Sequence, residues 1–149
     1  MISVVLPAYN ESEIISDTVT NIKSHLEKKY DAFEIIVVQN GSQDNTEEII
    51  KDLAKKYEQV KAFNLEAPDC GAAMRRGFEE ARGEIVVNFD VDFYDMTFLD
   101  EAVELIRSSD KERPEVVVGS KRAEGSNDKR PIIRRMATFT FVSILKILF

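Results

Sequence analysis

Five short runs rich in β-branched residues, apolar throughout rather than at every second position, constrain this chain more than any other feature. They are Ile2–Leu6, Glu34–Val38, Val60–Leu65, Glu84–Phe89 and Val116–Gly119. A strand that is apolar on both faces must be covered on both faces. Between the runs lie segments of helical periodicity. Ile14, Ile15, Val19, Ile22 and Leu26 form one apolar stripe, and Ile49, Ile50, Leu53, Ala54 and Tyr57 a second. Gly71–Ala81 reads as a third helix, ended by Gly83. Thr97–Ser108 reads as a fourth, with Phe98, Leu99, Ala102, Val103 and Ile106 inward. Pro7 and Asn10 break the first run; Gly41 and Ser42 break the second, and Asn45 with Glu48 marks a helix start. Alternation of such strands with helices predicts an α/β fold with a mostly parallel sheet flanked by helices. In such sheets ligands bind beyond the carboxyl ends of the strands, so the loops after each strand are the place to look for chemistry.

Charge is unevenly spread. The chain has 149 residues and a net charge of −7, yet its last 29 residues carry seven Lys/Arg against two acids. An acidic body argues against a nucleic-acid partner. The basic tail leads into Ile132–Phe149, a strongly apolar helix in prospect, with apolar groups nearly all round from Phe139 to Phe149. A helix of that kind is buried, self-associated or laid in a membrane interface, and the preceding basic residues favour anionic lipid. These features predict a membrane surface as a partner and allow a homo-oligomer. The one cysteine, Cys70, permits no internal disulfide and fits a reducing compartment. The opening Met-Ile-Ser-Val-Val-Leu is too short and lacks the basic start of a signal peptide. The expected location is cytoplasmic, peripheral at the cytoplasmic face of a membrane.

The fourth run ends in Asn88-Phe89-Asp90-Val91-Asp92, the most informative site. Two carboxylates two residues apart, just past a buried strand, repel unless something positive lies between them. A hard divalent cation with oxygen ligands meets that need and can bridge a nucleotide diphosphate. The loop after the first strand, Pro7-Ala8-Tyr9-Asn10-Glu11, is either a binding loop or a proline turn ahead of a helix. The loop Gln39-Asn40-Gly41-Ser42-Gln43-Asp44-Asn45-Thr46 is dense in short polar side chains, which read base edges and ribose hydroxyls or simply make turns and caps. Asp44 and Asn45 have a sufficient explanation as caps. Gly119-Ser120-Lys121-Arg122 closes the fifth strand with groups suited to phosphate or to an ordinary turn. Arg134 and Thr138 share a helical face and can clamp a phosphate. His25 reads as an exposed surface histidine and Cys70 as a loop residue; neither has partners at zinc-like spacing.

Taken in order, Val4-Val5-Leu6-Pro7-Ala8-Tyr9-Asn10-Glu11, Asn40-Gly41-Ser42 with Asp44 and Thr46, Gly71-Ala72-Ala73, Gly77-Phe78, Ala81-Arg82-Gly83, Asp90-Val91-Asp92 and Gly119-Ser120-Lys121-Arg122 resemble the family-two glycosyltransferases of GT-A fold. Within that family the chain looks most like dolichyl-phosphate or polyprenyl-phosphate sugar transferases, and the resemblance covers about residues 1–140. It implies a GT-A (Rossmann-like) nucleotide-sugar-binding domain over 1–125, with residues 126–149 forming a basic loop and apolar helix near the acceptor and the membrane. The implied activity is inverting transfer of a sugar from a GDP- or UDP-linked donor to a lipid phosphate, assisted by Mg²⁺ or Mn²⁺.

The resemblance also implies roles. Pro7, Ala8, Tyr9, Glu11, Asn40 and Ser42 would line the nucleotide pocket together with Asp90. Asp90 and Asp92 would be the DxD pair, with Asp92 favoured as the direct metal ligand. Arg134 would join the catalytic set, and Lys121, Arg122, Arg134 and Thr138 would face phosphate. Three departures stand out. Asn40 replaces an Asp that touches the base in relatives, and Tyr94 stands where lipid-phosphate members often carry a Gln, with Asp95 a possible substitute. Asp69-Cys70-Gly71 replaces a basic Gly-Lys-Gly turn. They keep open a weak or inactive nucleotide-sugar-binding subunit, or a transferase with a sugar or protein hydroxyl acceptor. A dinucleotide-dependent redox enzyme lacks support, because no Gly-x-Gly-x-x-Gly turn follows the first strand. A nucleotidyltransferase lacks it too, for want of a Gly-rich basic loop there.

Overall fold

A computed structural model describes residues 1–109 and 113–119. The chain divides into two units, Met1–Pro114 and Glu115–Phe149. The first contains β1 (Ile2–Ala8), α1 (Ile15–Lys29), β2 (Phe33–Asn40), α2 (Thr46–Lys56), β3 (Val60–Leu65), α3 (Cys70–Glu80), β4 (Ile85–Asn88) and α4 (Met96–Arg107). All the strand pairs are parallel, and the sheet order is β3-β2-β1-β4. The α/β reading of the sequence is therefore what the chain adopts.

Side-chain alternation along β1 and β2 sorts the core into two layers. Ile2, Val4, Leu6, Ala8, Ile35 and Val37 face α1, α2 and α4, and meet Ile15, Val19, Ile22, Leu26, Ile50, Leu53, Leu99 and Val103. Val5, Ile36 and Val38 point the other way, onto Ala73 of α3. Burying each large aliphatic group in such a core contributes about 1.5–3 kcal/mol. The α3 layer is thin because glycines let it approach. A Cβ on Gly77 would lie 2.3 Å from Val5 Cγ1, and one on Gly83 would lie 2.6 Å from the Ser3 nitrogen.

Several local expectations are corrected. Pro7 does not end β1, which continues to Ala8. β4 pairs with β1 only as far as Val5, so beyond that point β1 has one ladder partner and tolerates a residue without an N–H. Asn45 does not cap α2 with its side chain. Asp44 does so instead, its carboxylate accepting from the Thr46 N–H at 3.0 Å. α3 ends at Glu80, ahead of Gly83. Gly83 serves close packing, its N–H donating to Ser3 Oγ at 2.8 Å. Val116–Gly119 forms no strand; Val116 and Val118 are exposed, and no described residue pairs with the segment to make its apolar run a ladder. The apolar helix expected over 132–149 lies outside the described residues. No helix among the described residues is long and apolar enough to cross a membrane.

Away from the strand tips, Glu34 on β2 organises the opposite end of the sheet. Ser3 Oγ, Lys61 Nζ and the Arg82 N–H each donate to it at 2.6 Å. Burial pushes its carboxyl up, but these donors outweigh burial and hold it below the usual value.

Candidate functional site

The strand order places β1 and β2 on one side and β4 on the other, so the chain reverses direction across the sheet between β1 and β4. That is the topological switch point, where the loops above adjacent strands diverge and leave a crevice. Its walls are the loop after β1, bearing Tyr9, Asn10 and Glu11, and the loop after β4, bearing Asp90 to Asp95.

The β1 loop is laced to the β2 loop by side chains. Asn10 adopts φ 56°, a left-handed conformation that Asn accepts more readily than most residues. Its N–H donates to Ser42 Oγ at 3.1 Å, and its Oδ1 accepts from the Gln43 N–H at 2.8 Å. The Glu11 N–H donates to Thr46 Oγ1 at 2.9 Å, and the Ser12 N–H donates to Asp44 at 3.0 Å. Burial alone would raise Asp44; the hydrogen bonds from Thr46 and Ser12 instead hold its carboxyl well below the carboxylate range. Glu11 and Ile15 are then joined by the first turn of α1, the Ile15 N–H donating to the Glu11 carbonyl.

A third loop closes the floor. Gly41 has φ 74°, and a Cβ there would stand 2.9 Å from Pro68 N, so the β3–α3 loop rests on it. Asn40 is buried. With the amide turned so that both of its ends find partners, its nitrogen donates to the Ala8 carbonyl at 2.9 Å and its oxygen accepts from the Cys70 N–H at 3.3 Å. Asn40 thus ties the tip of β1 to the first residue of α3, and Cys70 belongs to that helix rather than to a loop. Pro7 is half-buried, Ala8 buried and Ser42 half-buried, while Tyr9 is exposed at the rim.

On the facing wall, Val91 is buried while Asp90 and Asp92 on either side are exposed. The Phe93 N–H donates to the Asp90 carbonyl at 3.2 Å, forming a tight turn. Asp95, the possible substitute ligand, has one of its two carboxylate oxygens engaged in a structural role. Its Oδ1 caps α4, accepting from Thr97 and Phe98 N–H groups at 2.9 and 3.1 Å. The Tyr94 hydroxyl accepts from Asn21 of α1 at 3.2 Å.

The two walls sense each other. The Glu11 carboxyl is raised above its ordinary value, first by partial burial, then by the charges of Asp92 and Asp44. Among the described residues no Lys or Arg forms an ion pair with Asp90, Asp92, Glu11 or Asp44. A surplus of carboxylate oxygens without a cation suits a hard divalent ion. No group of three or more His, Cys, Asp or Glu among the described residues could hold a metal by itself. The donor set therefore fits an ion that takes one or two carboxylates and completes its shell with phosphate oxygens and water, as Mg²⁺-type sites do.

Lys121, Arg122, Arg134 and Thr138 lie outside the described residues. His25 is half-buried rather than exposed; its Nε2 lies 3.1 Å from both oxygens of Asp100, which also accepts from Tyr30 at 2.6 Å and pairs with Lys29 at 2.9 Å. This cluster joins α1 to α4 and stands apart from the strand-tip loops. Sequence reasoning missed Thr18. Its Oγ1 donates to the Val91 carbonyl at 3.0 Å, and it is buried. The available signal was a hydroxyl on the apolar stripe of α1, where a polar group needs a partner.

A parallel sheet with the loops after its strands gathered at the switch point, an acidic pair on one wall and a short polar loop on the other, defines the class as an α/β domain with its candidate site at the strand tips. The chain belongs to glycosyl transferase family 2, whose model matches residues 3–146. Glycosyltransferase AglD of Haloferax volcanii is 42% identical over 113 residues, covering 73% of this chain and 18% of that protein. Dolichyl-phosphate beta-glucosyltransferase ALG5A of Trichomonas vaginalis is 34% identical over 146 residues, covering 90% of this chain and 44% of that protein. Among solved structures, mannosyltransferase PcManGT from Pyrobaculum calidifontis, in complex with GDP-Man and Mn²⁺, superposes with a TM-score of 0.62. It is 25% identical, and the match covers 72% of this chain and 32% of that one. The chain thus spans less than half the length of these relatives.

Proposed function

We propose that this chain is the donor-binding part of an inverting glycosyltransferase that moves a hexose from a GDP- or UDP-linked donor to a polyprenyl or dolichyl phosphate. The observation that carries the reading is the pair Asp90 and Asp92, exposed at the switch point opposite Glu11 with no cationic partner among the described residues. Similarity to dolichyl-phosphate transferases supports the choice of acceptor. Similarity to a mannosyltransferase bound to GDP-Man and Mn²⁺ supports the choice of donor and ion.

In this reading Pro7, Ala8, Tyr9, Glu11 and Ser42 line the nucleotide, while Asn40 holds the floor beneath it. Asp90 and Asp92 would hold Mg²⁺ or Mn²⁺, which when bound neutralises charge on the departing nucleoside diphosphate. A phosphate acceptor is already ionised near neutral pH, so the chain need not supply a strong base to activate it. Lys121, Arg122, Arg134 and Thr138 are assigned to phosphate, and Arg134 to the catalytic set. Residues 1–125 are taken as the donor-binding domain and 126–149 as the acceptor- and membrane-proximal part, peripheral at the cytoplasmic face of a membrane.

Calorimetric titration with UDP, GDP and their sugar conjugates, in Mn²⁺ and in EDTA, tests the donor reading. One base class should bind, more tightly with metal, and Asp92→Ala should remove the metal-dependent gain. A folded protein that binds none of these ligands overturns it. Transfer from the bound donor to a polyprenyl phosphate, rather than to a sugar or protein hydroxyl, then tests the acceptor.

A further inference from the structure

We propose that Thr18 is a positioning residue for the metal-binding pair, fixing the direction of Asp92 from the back of the loop. This rests on the donor-site reading above and goes beyond it, since it concerns how α1 controls Asp90 and Asp92 without touching ligand.

The argument begins with the peptide unit. The Val91 carbonyl oxygen, the Asp92 nitrogen and the Asp92 Cα lie in one plane. A hydrogen bond that holds the oxygen therefore holds the N–Cα bond of Asp92, leaving φ as the one backbone rotation between that plane and the side chain. Thr18 Oγ1 supplies that bond at 3.0 Å. Both residues are almost fully buried, Thr18 at 4% and Val91 at 2% exposure, so water does not compete for the carbonyl. Asp90 and Asp92, by contrast, are exposed and have no protein cation among the described residues to hold them. The buried residue between them is the fixed point of the motif.

The choice of residue at position 18 supports a purpose beyond filling space. The buried positions of α1 are otherwise Ile15, Val19, Ile22 and Leu26. A valine at 18 would match Thr in shape and continue that stripe. One turn further on, Asn21 donates to the Tyr94 hydroxyl at 3.2 Å, so the same face of α1 grips the loop twice. α1 itself starts directly after Tyr9–Glu11, and its first turn is bonded to the Glu11 carbonyl. Thr18 thereby couples the helix that carries the nucleotide loop to the loop that carries the acidic pair. Loss of the hydroxyl would leave the Val91 carbonyl buried and unpaired, and the loop would turn to satisfy it.

The test uses the full chain and compares Thr18→Val, Thr18→Ser and the unsubstituted protein. For each, GDP and UDP affinities are measured in Mn²⁺ and in EDTA, with thermal unfolding recorded in parallel. The readout is the ratio of affinities with and without metal. Thr18→Val should lower that ratio about three- to tenfold, the span that loss of one buried hydrogen bond gives. It should leave affinity in EDTA unchanged, and Thr18→Ser should restore the ratio. A purely structural role would lower the unfolding midpoint and leave the ratio intact, which overturns the proposal. An unsubstituted protein with no metal effect sinks the donor-site reading and this inference with it, so the two failures are distinct. If Thr18→Val does not fold, Thr18→Ala removes the same donor together with the methyl group and is judged by the same ratio.

Discussion

Asn10 grips the loop after β2 from both ends: its N–H donates to Ser42 while its side-chain oxygen accepts from the backbone of Gln43. The residue is held at φ 56°, and that left-handed turn aims both groups at the neighbouring loop. Two loops separated by more than thirty residues in sequence thus behave as one wall of the crevice. Tyr9 and Glu11, which flank Asn10, inherit their placement from this contact.

Replacing Asn10 separates its two contributions. Asn10→Ala loses the acceptor for Gln43 and places a Cβ residue with no polar group in the left-handed region, and should cost about 1–2 kcal/mol. Asn10→Gly loses the same acceptor without the conformational penalty and should recover part of that cost. Urea unfolding at neutral pH decides it. Equal losses in the two variants would mean that backbone strain contributes nothing here.

Gly77 and Val5 form a matched pair. A Cβ on Gly77 would fall 2.3 Å from Val5 Cγ1, too close to absorb without moving α3 off the sheet. Gly77→Ala should therefore destabilise by about 1–3 kcal/mol despite its better helix propensity. Val5→Ala opens the space, so the double variant should be more stable than the sum of the single losses predicts. Additive losses in a double-mutant cycle would show that α3 shifts as a body instead.

The division between what the sequence discloses and what it conceals follows from range. Runs such as Ile35–Val38 and stripes such as Ile15, Val19 and Ile22 are short-range patterns, and they located all eight described elements. Asp90 and Asp92 stand out in the sequence as candidates because they end an apolar run at a place where parallel sheets bind ligands. Contacts such as Glu11 to Thr46 or Thr18 to Val91 join residues 35 and 73 positions apart, and nothing local marks them. Glu34 was read simply as the start of a strand, because its three donors come from β1, β3 and the turn after α3. Val116–Gly119 misled for the opposite reason. Its composition suits a strand, but a strand also needs a neighbour, and none of the described residues pairs with it.

Stability should fall in acid through Glu34 and Asp100. Both carboxyls are held below their ordinary values in the folded chain, Glu34 by its donors against the effect of burial, and Asp100, likewise against burial, by Tyr30, Lys29 and His25 to about 2. A carboxyl lowered on folding binds its proton more readily when unfolded, so its contribution is present above the unfolded value and lost below it. For Glu34 that loss starts near the ordinary value of 4.5, and for Asp100 near 3.8, continuing to about 2. Glu34→Gln should cost about 1–3 kcal/mol near neutrality, leaving Lys61 without its counter-charge, and should flatten the acid limb of the stability curve. Denaturant unfolding from pH 6 to pH 2.5 measures both. An acid limb of unchanged slope in Glu34→Gln would remove Glu34 from the account.

Asn40 departs from the Asp that the family resemblance implies at its position, and its surroundings give a reason to keep the amide. Its nitrogen donates to the Ala8 carbonyl, while its oxygen accepts from the Cys70 N–H at the start of α3. An aspartate would still serve Cys70, and the helix N-terminus would welcome its charge. Toward Ala8 it would set a buried carboxylate oxygen against a carbonyl oxygen. Asn40→Asp should therefore destabilise the chain at neutral pH by about 1–3 kcal/mol. Its carboxyl, raised by burial and by the facing carbonyl, would regain a donor on protonation. The deficit relative to the unsubstituted chain should thus shrink as pH falls through that raised value, opposite in sign to the acid loss at Glu34. Unfolding curves of the two chains from pH 8 to pH 5 test this. A deficit that stays constant across that range would mean that Ala8 moves away to accept the charge, and that the tip of β1 is not held by residue 40.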